Sequence, residues 1–235
     1  MKKISLTILI LSLAAAAKIS AQYDDNDFSI SINYNYTTTS KLFLNPKSED
    51  EFTSNQSLDY DDVKSVSAEI RYRINESLTL GLSVEKYKIK HIRQDYSVTG
   101  YLMNVEDGFK IYPVQLTAYY ILPFSTELFK FYMGGGVGIY FGEHIRNFSD
   151  VSVTDAGSST ELGIHIKTGL DYMVEDFLSI RGEMNFRDPE VDLTSKYNKS
   201  VFEYQNRTYL LSGNSFDTKV NIDGVSFTIG AAFHF

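Results

Sequence analysis

The stretch FKFYMGGGVGIYF, residues 129–141, alternates in period two. Phe129, Phe131, Met133, Gly135, Val137, Ile139 and Phe141 share one face; Lys130, Tyr132, Gly134, Gly136, Gly138 and Tyr140 share the other. Its glycines admit two readings, a loop that cradles phosphate or a strand whose polar face must leave room for something. The phosphate reading fails on spacing. A G-x-G-x-x-G starting at Gly134 needs glycine where Ile139 stands, and one starting at Gly136 needs it at Phe141. No lysine follows at Walker spacing, and no helical pattern follows to present an N-terminus to an anion. Glycine weakens a strand interior, so the strand reading requires a neighbour that makes use of the missing side chains.

The same alternation recurs along the chain. It predicts strands over about 28–36, 63–74, 78–89, 109–122, 129–141, 161–174, 177–187 and 223–235. Phe28, Ile30, Ile32, Tyr34 and Tyr36 alternate with serine and asparagine; Val66, Ala68, Ile70 and Tyr72 alternate with Ser67, Glu69, Arg71 and Arg73. The segment 109–122 is less regular, because Ile111, Tyr119 and Ile121 fall on its polar face. The connections 37–62, 90–108, 142–160 and 188–222 are long, while 75–77, 123–128 and 175–176 are short. Long and short connections therefore segregate to opposite ends, which predicts an all-β, eight-stranded antiparallel up-and-down barrel.

Residues 1–21 predict a signal peptide: Lys2 and Lys3, an apolar run from Ile4 to Ala17, and Ala21 before a cut at Gln22. The barrel is expected over 22–235. No later apolar run reaches the roughly 20 residues of a spanning helix. The chain has 22 Lys and Arg against 30 Asp and Glu, and loss of Lys2, Lys3 and Lys18 makes it more acidic still, so nucleic acid is excluded as a partner. There is no cysteine, which rules out disulfides and thiolate metal sites in an exported chain.

Alternation alone does not say which face is outside. The polar faces decide it, because Glu69, Arg71, Arg73, Glu85, Lys167, Asp171, Arg181, Glu183 and Arg187 lie there within the strands, nearly balanced in sign. Such a set fits a desolvated network in a narrow lumen. The apolar face, rimmed by Tyr36, Tyr72, Phe129, Phe131, Tyr172 and Phe186, then meets lipid. An eight-stranded lumen is barely wide enough for its side chains, so Gly134, Gly136 and Gly138 are expected to make room for the long arginines and glutamates.

The segments YPVQLTAYYILP (112–123), FKFYMGGGVGIYF, GIHIKTGLDYMVEDFLSIRGEMNFR (163–187) and FTIGAAFHF (227–235) resemble the small eight-stranded outer-membrane barrels of Gram-negative bacteria, the OmpX, Ail and OmpW group. The resemblance implies an outer-membrane location amid lipid and lipopolysaccharide. It also implies that the C-terminal strand, with Phe233 and Phe235, is a signal for the barrel-assembly machinery. It points to a non-enzymatic protein with a closed, charge-filled lumen, serving envelope integrity or surface interaction through its long loops. A narrow channel for small solutes and, further off, a lipid A-modifying enzyme are the alternatives.

Little in the sequence points to catalysis or to a cofactor. The deacylases of this architecture use a His-x-Ser pair, and none of His91, His144, His165 and His234 has serine two residues on. His165 is expected to point into the lumen, and His91 and His144 to head solvated loops. Glu49, Asp50, Glu51, Asp59, Asp61 and Asp62 cluster in the first long loop without EF-hand spacing, so no metal site is assigned. In the last loop, Tyr197, Phe202, Tyr204 and Tyr209 are available either to a partner or to one another.

Overall fold

The computed structural model describes residues 27–49, 55–95, 102–157, 160–211, 215–222 and 224–235; the predicted leader lies outside them. The described residues form no helix. The strands are Phe28–Phe43 (β1), Ser57–Arg73 (β2), Leu78–Asp95 (β3), Met103–Ile121 (β4), Phe129–Phe148 (β5), Val151–Asp155 (β6) and Thr160–Glu175 (β7). They continue with Leu178–Arg187 (β8), Glu190–Tyr197 (β9), Val201–Tyr204 (β10), Arg207–Leu210 (β11), Phe216–Asn221 (β12) and Gly224–His234 (β13).

Every ladder is antiparallel. From β1 they run through β2, β3, β4, β5, β7, β8 and β13 and return to β1. Lipid contains no water to satisfy an unpaired strand edge, so this circuit suits a spanning sheet. At the seam, Phe28 and Phe235 exchange backbone hydrogen bonds of 3.1 and 2.9 Å.

The outward faces are apolar and exposed, as lipid contact requires: Ile32 at 72%, Leu162 and Ile164 at 77%, and Ile229 at 62%. Phe233 and Phe235 also face outward. Aromatic rings meet near the short turns, Phe28 with Tyr72 at 4.8 Å and Phe129 with Tyr172 at 5.1 Å, as in an interfacial girdle.

The long connections differ from the expected loops, for they are largely strand. β1 runs on to Phe43, β2 starts at Ser57, and β4 and β5 have 19 and 20 residues, about twice the 9–11 needed to cross a bilayer. Above the membrane the sheet is remade: β5 turns into β6, β6 pairs with β9, β9 with β12, and β12 with β1. The β10–β11 hairpin turns at Gln205 and Asn206, both at positive φ (50° and 59°), the geometry of a two-residue type I′ turn. Phe202 is buried against Met103, Val105, Phe148 and Val151 and stacks on Tyr209 at 5.4 Å, so the loop aromatics pack on one another.

Candidate functional site

The interior is built in layers. Near the short turns, Arg71, Lys167 and Arg181 meet Glu69, Asp171 and Glu183, all almost wholly buried. Arg181 donates to both oxygens of Asp171 (Nε to Oδ1 2.8 Å, Nη2 to Oδ2 2.9 Å), and its Nη1 donates to Ser31 Oγ at 3.0 Å and Glu69 Oε2 at 2.9 Å. Arg71 donates to Glu69 from Nε at 2.7 Å and to Glu183 from Nη2 at 2.8 Å. Lys167 stands 3.4 Å from Glu183. Tyr119 and Tyr132 donate to Glu69 and Glu183 respectively. Three cations and three carboxylates thus neutralise one another, and such pairing is what makes buried charge tolerable.

Higher up, Arg187 Nη1 donates to Glu85 at 2.8 Å, and Asn35 Nδ2 also donates to Glu85, at 3.0 Å. A cavity of ≈ 20 Å³ lies between Glu85, Arg187, Gln115 and Asn33, room for about one water. A second, of ≈ 30 Å³, lies at the periplasmic mouth, where Arg73 and Asp27 line it.

Charge fills only part of the interior. Above Glu85 the strand extensions enclose an apolar core of Leu42, Tyr60, Val63, Tyr87, Phe109, Ile111, Tyr140, Val191, Leu193, Val220 and Ile222. Ile111, irregular in the sequence pattern, is fully buried here. Val191, Leu193 and Val220 come from the last long connection, which folds back as β9 and β12.

The glycines of β5 correct one expectation. What lies over them is tyrosine and backbone, not guanidinium or carboxylate. A Cβ on Gly134 would stand 2.7 Å from the Tyr119 ring, and one on Gly138 3.0 Å from that of Tyr140. At Gly136 it would stand 1.9 Å from the Leu116 carbonyl oxygen, so only glycine lets β4 and β5 approach so closely. Arg71 then rests on the rings, its guanidinium carbon 3.7 Å from the Tyr119 centroid and 4.6 Å from that of Tyr132.

The histidines divide in a way that spacing did not reveal. His165 Nε2 meets Thr117 Oγ1 at 2.8 Å inside the lumen, and His234 Nε2 meets Ser179 Oγ at 2.8 Å. This serine–histidine contact depends on cross-strand register, since Ser179 pairs with Ala232 in the β8–β13 ladder and His234 is diagonal to it. Ser179 is 0% exposed and both Asp171 oxygens are held by Arg181, so no accessible nucleophile results. His144, expected in a solvated loop, is buried in β5 against the edge of Phe216 at 6.0 Å, and neither ring nitrogen has a hydrogen-bond partner among the described residues. It stands beyond Phe141, where the apolar outer band of β5 ends. Burial, and next the Arg146 guanidinium, pushes its pKa down to about 3.

Of the acidic cluster, Asp50 and Glu51 lie outside the described residues. Asp59, Asp61 and Asp62 lie on exposed positions of β2, and no group of three metal-competent side chains occurs among the described residues.

A family model described as outer membrane protein beta-barrel domain matches residues 5–235. Among solved structures, the outer membrane protein OprG of Pseudomonas aeruginosa is similar with a TM-score of 0.62 at 13% identity, covering 91% of this chain and 98% of that one. Neisserial surface protein A gives 0.48 at 14% identity, covering 88% and 97%. The attachment invasion locus protein Ail of Yersinia pestis gives 0.47 at 13%, covering 89% and 99%. No curated protein matches the chain.

Proposed function

We propose, for a chain that belongs to the outer membrane protein β-barrel domain family and lies in the outer membrane of a Gram-negative bacterium, a non-enzymatic role in which the interior is closed and the surface does the work. In this reading the protein serves envelope integrity or surface interaction, and does not pass solutes. One observation carries it. Three cations and three carboxylates pair across the interior, an apolar cluster is buried above them, and the two cavities lined by the charged residues hold ≈ 20 and ≈ 30 Å³, each the size of about one or two waters.

The alternation of outward apolar residues through Ile229, Phe233 and Phe235 supports recognition of β13 by the barrel-assembly machinery. Ser179, which meets His234, is fully buried, and this counts against that serine as a nucleophile.

Swelling of proteoliposomes in isosmotic small sugars tests this reading. The refolded protein is expected to swell no faster than empty vesicles, and sugar-dependent swelling would favour the solute-channel alternative. An unchanged lipid A acyl pattern on expression is the matching expectation for the enzymatic alternative; a shortened or added acyl chain would reverse it.

A further inference from the structure

One surface feature stands apart from the lumen. In a chain of net charge −8, the outward face of β3 carries Lys86, Lys88 and Lys90, exposed in succession, with exposed Lys64 on β2 and part-buried Lys110 on β4. The β3–β4 register sets Lys88 directly opposite Lys110. Like charges at such a position repel, and the neighbouring acids answer only some of them. Lys90 pairs with Glu106 at 2.7 Å and Lys110 with Glu143 at 2.6 Å, whereas Lys64, Lys86 and Lys88 make no ion pair among the described residues.

These lysines border a break in the sheet. The β5–β7 ladder ends at Phe141 opposite Thr160, and the β5–β6 ladder begins at Asn147 opposite Ser152. Between them, among the described residues, β5 is laddered only to β4. A pocket of ≈ 560 Å³ occupies that place, lined by Lys88, Lys90, Lys110, His144 and Arg146, with Glu143 and Asp155 as its acids. The volume falls within the range of small-molecule sites. Buried His144, with neither ring nitrogen partnered among the described residues, is on its wall.

The height of the pocket identifies the occupant. Lys110 and Glu143 are two residues beyond Tyr112 and Phe141, which is about 7 Å at the rise of a strand. At Tyr112 and Phe141 the wholly or partly exposed apolar positions of β4 and β5 end, Ile145 further on being buried. Below them Val84, Leu116, Val137 and Ile139 form an exposed apolar face. A molecule with acyl chains on that face holds its head group at the lysines. We propose that this pocket is a binding site for the phosphate-bearing head group of an outer-leaflet lipid. Lys88, Lys90 and Lys110 contact the phosphate, Arg146 on the inner side is paired with Asp107 at 3.7 Å, and Glu106, Glu143 and Asp155 limit the net attraction.

The proposal is independent of whether the lumen is closed. Its test uses the full chain refolded in uncharged detergent micelles and titrated with diphosphoryl lipid A, with the same lipid stripped of phosphate, and with inorganic phosphate. Bound lipid is counted by native mass spectrometry. Saturable binding of diphosphoryl lipid A is expected. It should weaken at least tenfold in a Lys88→Gln, Lys110→Gln double variant and stay unchanged in Lys41→Gln, a lysine on β1 whose ladder partners Asp59 and Asn221 do not line the pocket. Because Lys88 is exposed, the single variant Lys88→Gln serves if the double variant fails to refold, and it should bind severalfold more weakly. Equal binding by wild type and variants, or by the phosphate-free lipid, would overturn the proposal. Inorganic phosphate binding as tightly as the lipid would instead mark a site for a soluble anion and overturn the assignment to lipid.

Discussion

Replacing Arg181 with alanine is expected to lower the unfolding free energy of the barrel by about 3–5 kcal/mol, the usual cost of removing one partner from a buried charge network. Arg181 is 1% exposed and donates to both oxygens of Asp171 while also holding Glu69 and Ser31. Without it Asp171 stays buried and loses the two guanidinium hydrogen bonds that hold its oxygens. Urea titration in lipid vesicles, followed by the gel shift between folded and boiled forms, measures the loss. A midpoint within error of wild type would mean that water reaches Asp171 freely and that the layer is not desolvated. Arg181→Lys should recover only part of the loss, since an ammonium cannot donate to both oxygens in the plane of a carboxylate.

The second large effect is expected at Gly136. An alanine there would place its Cβ 1.9 Å from the Leu116 carbonyl oxygen and 2.9 Å from the Leu116 carbonyl carbon, both backbone atoms that can yield only by parting β4 from β5. The expected cost is about 3 kcal/mol, the upper end for overpacking, with slower or failed refolding. Gly182→Ala is the control: nothing lies within 4 Å of its Cβ position, so its effect should stay within about 0.5 kcal/mol. Equal behaviour of the two variants would show that β5 relaxes around an added methyl group and that its glycines are not set by close approach.

The membrane-spanning part of this fold was legible because lipid and lumen impose opposite demands on successive residues. Ile30 and Ile32 face one, Ser31 and Asn33 the other, and period two is unbroken. Above the membrane the contrast fades. Asp59, Lys88 and Lys90 face water on the outside, while Tyr87, Ile111 and Leu193 fill the inside, so outward positions turn polar and inward ones apolar. The alternation there reverses its chemistry, and strands read as loops. Ile111 was the visible signal, an apolar residue on a face expected to be polar.

Parity placed Glu69, Arg71, Arg181 and Glu183 on one face, but their partners follow from register between distant strands. Arg71 reaches Glu183 across 112 residues of sequence. The contacts of His234 with Ser179 and of His144 with Phe216 are invisible for the same reason. The glycine pattern announced that space was needed without saying that tyrosine rings would take it, because ring and guanidinium make the same demand for room.

Planar-bilayer recording of the refolded mature protein tests the closed interior most directly. The layers described here predict silence from the wild type. They predict silence also from an Arg71→Ala, Arg181→Ala variant that still runs as the folded form, because Leu42, Tyr87, Tyr140 and Leu193 remain above the emptied layer. Discrete conductance steps from the wild type, repeated across preparations, would contradict the account and make the lumen a pathway.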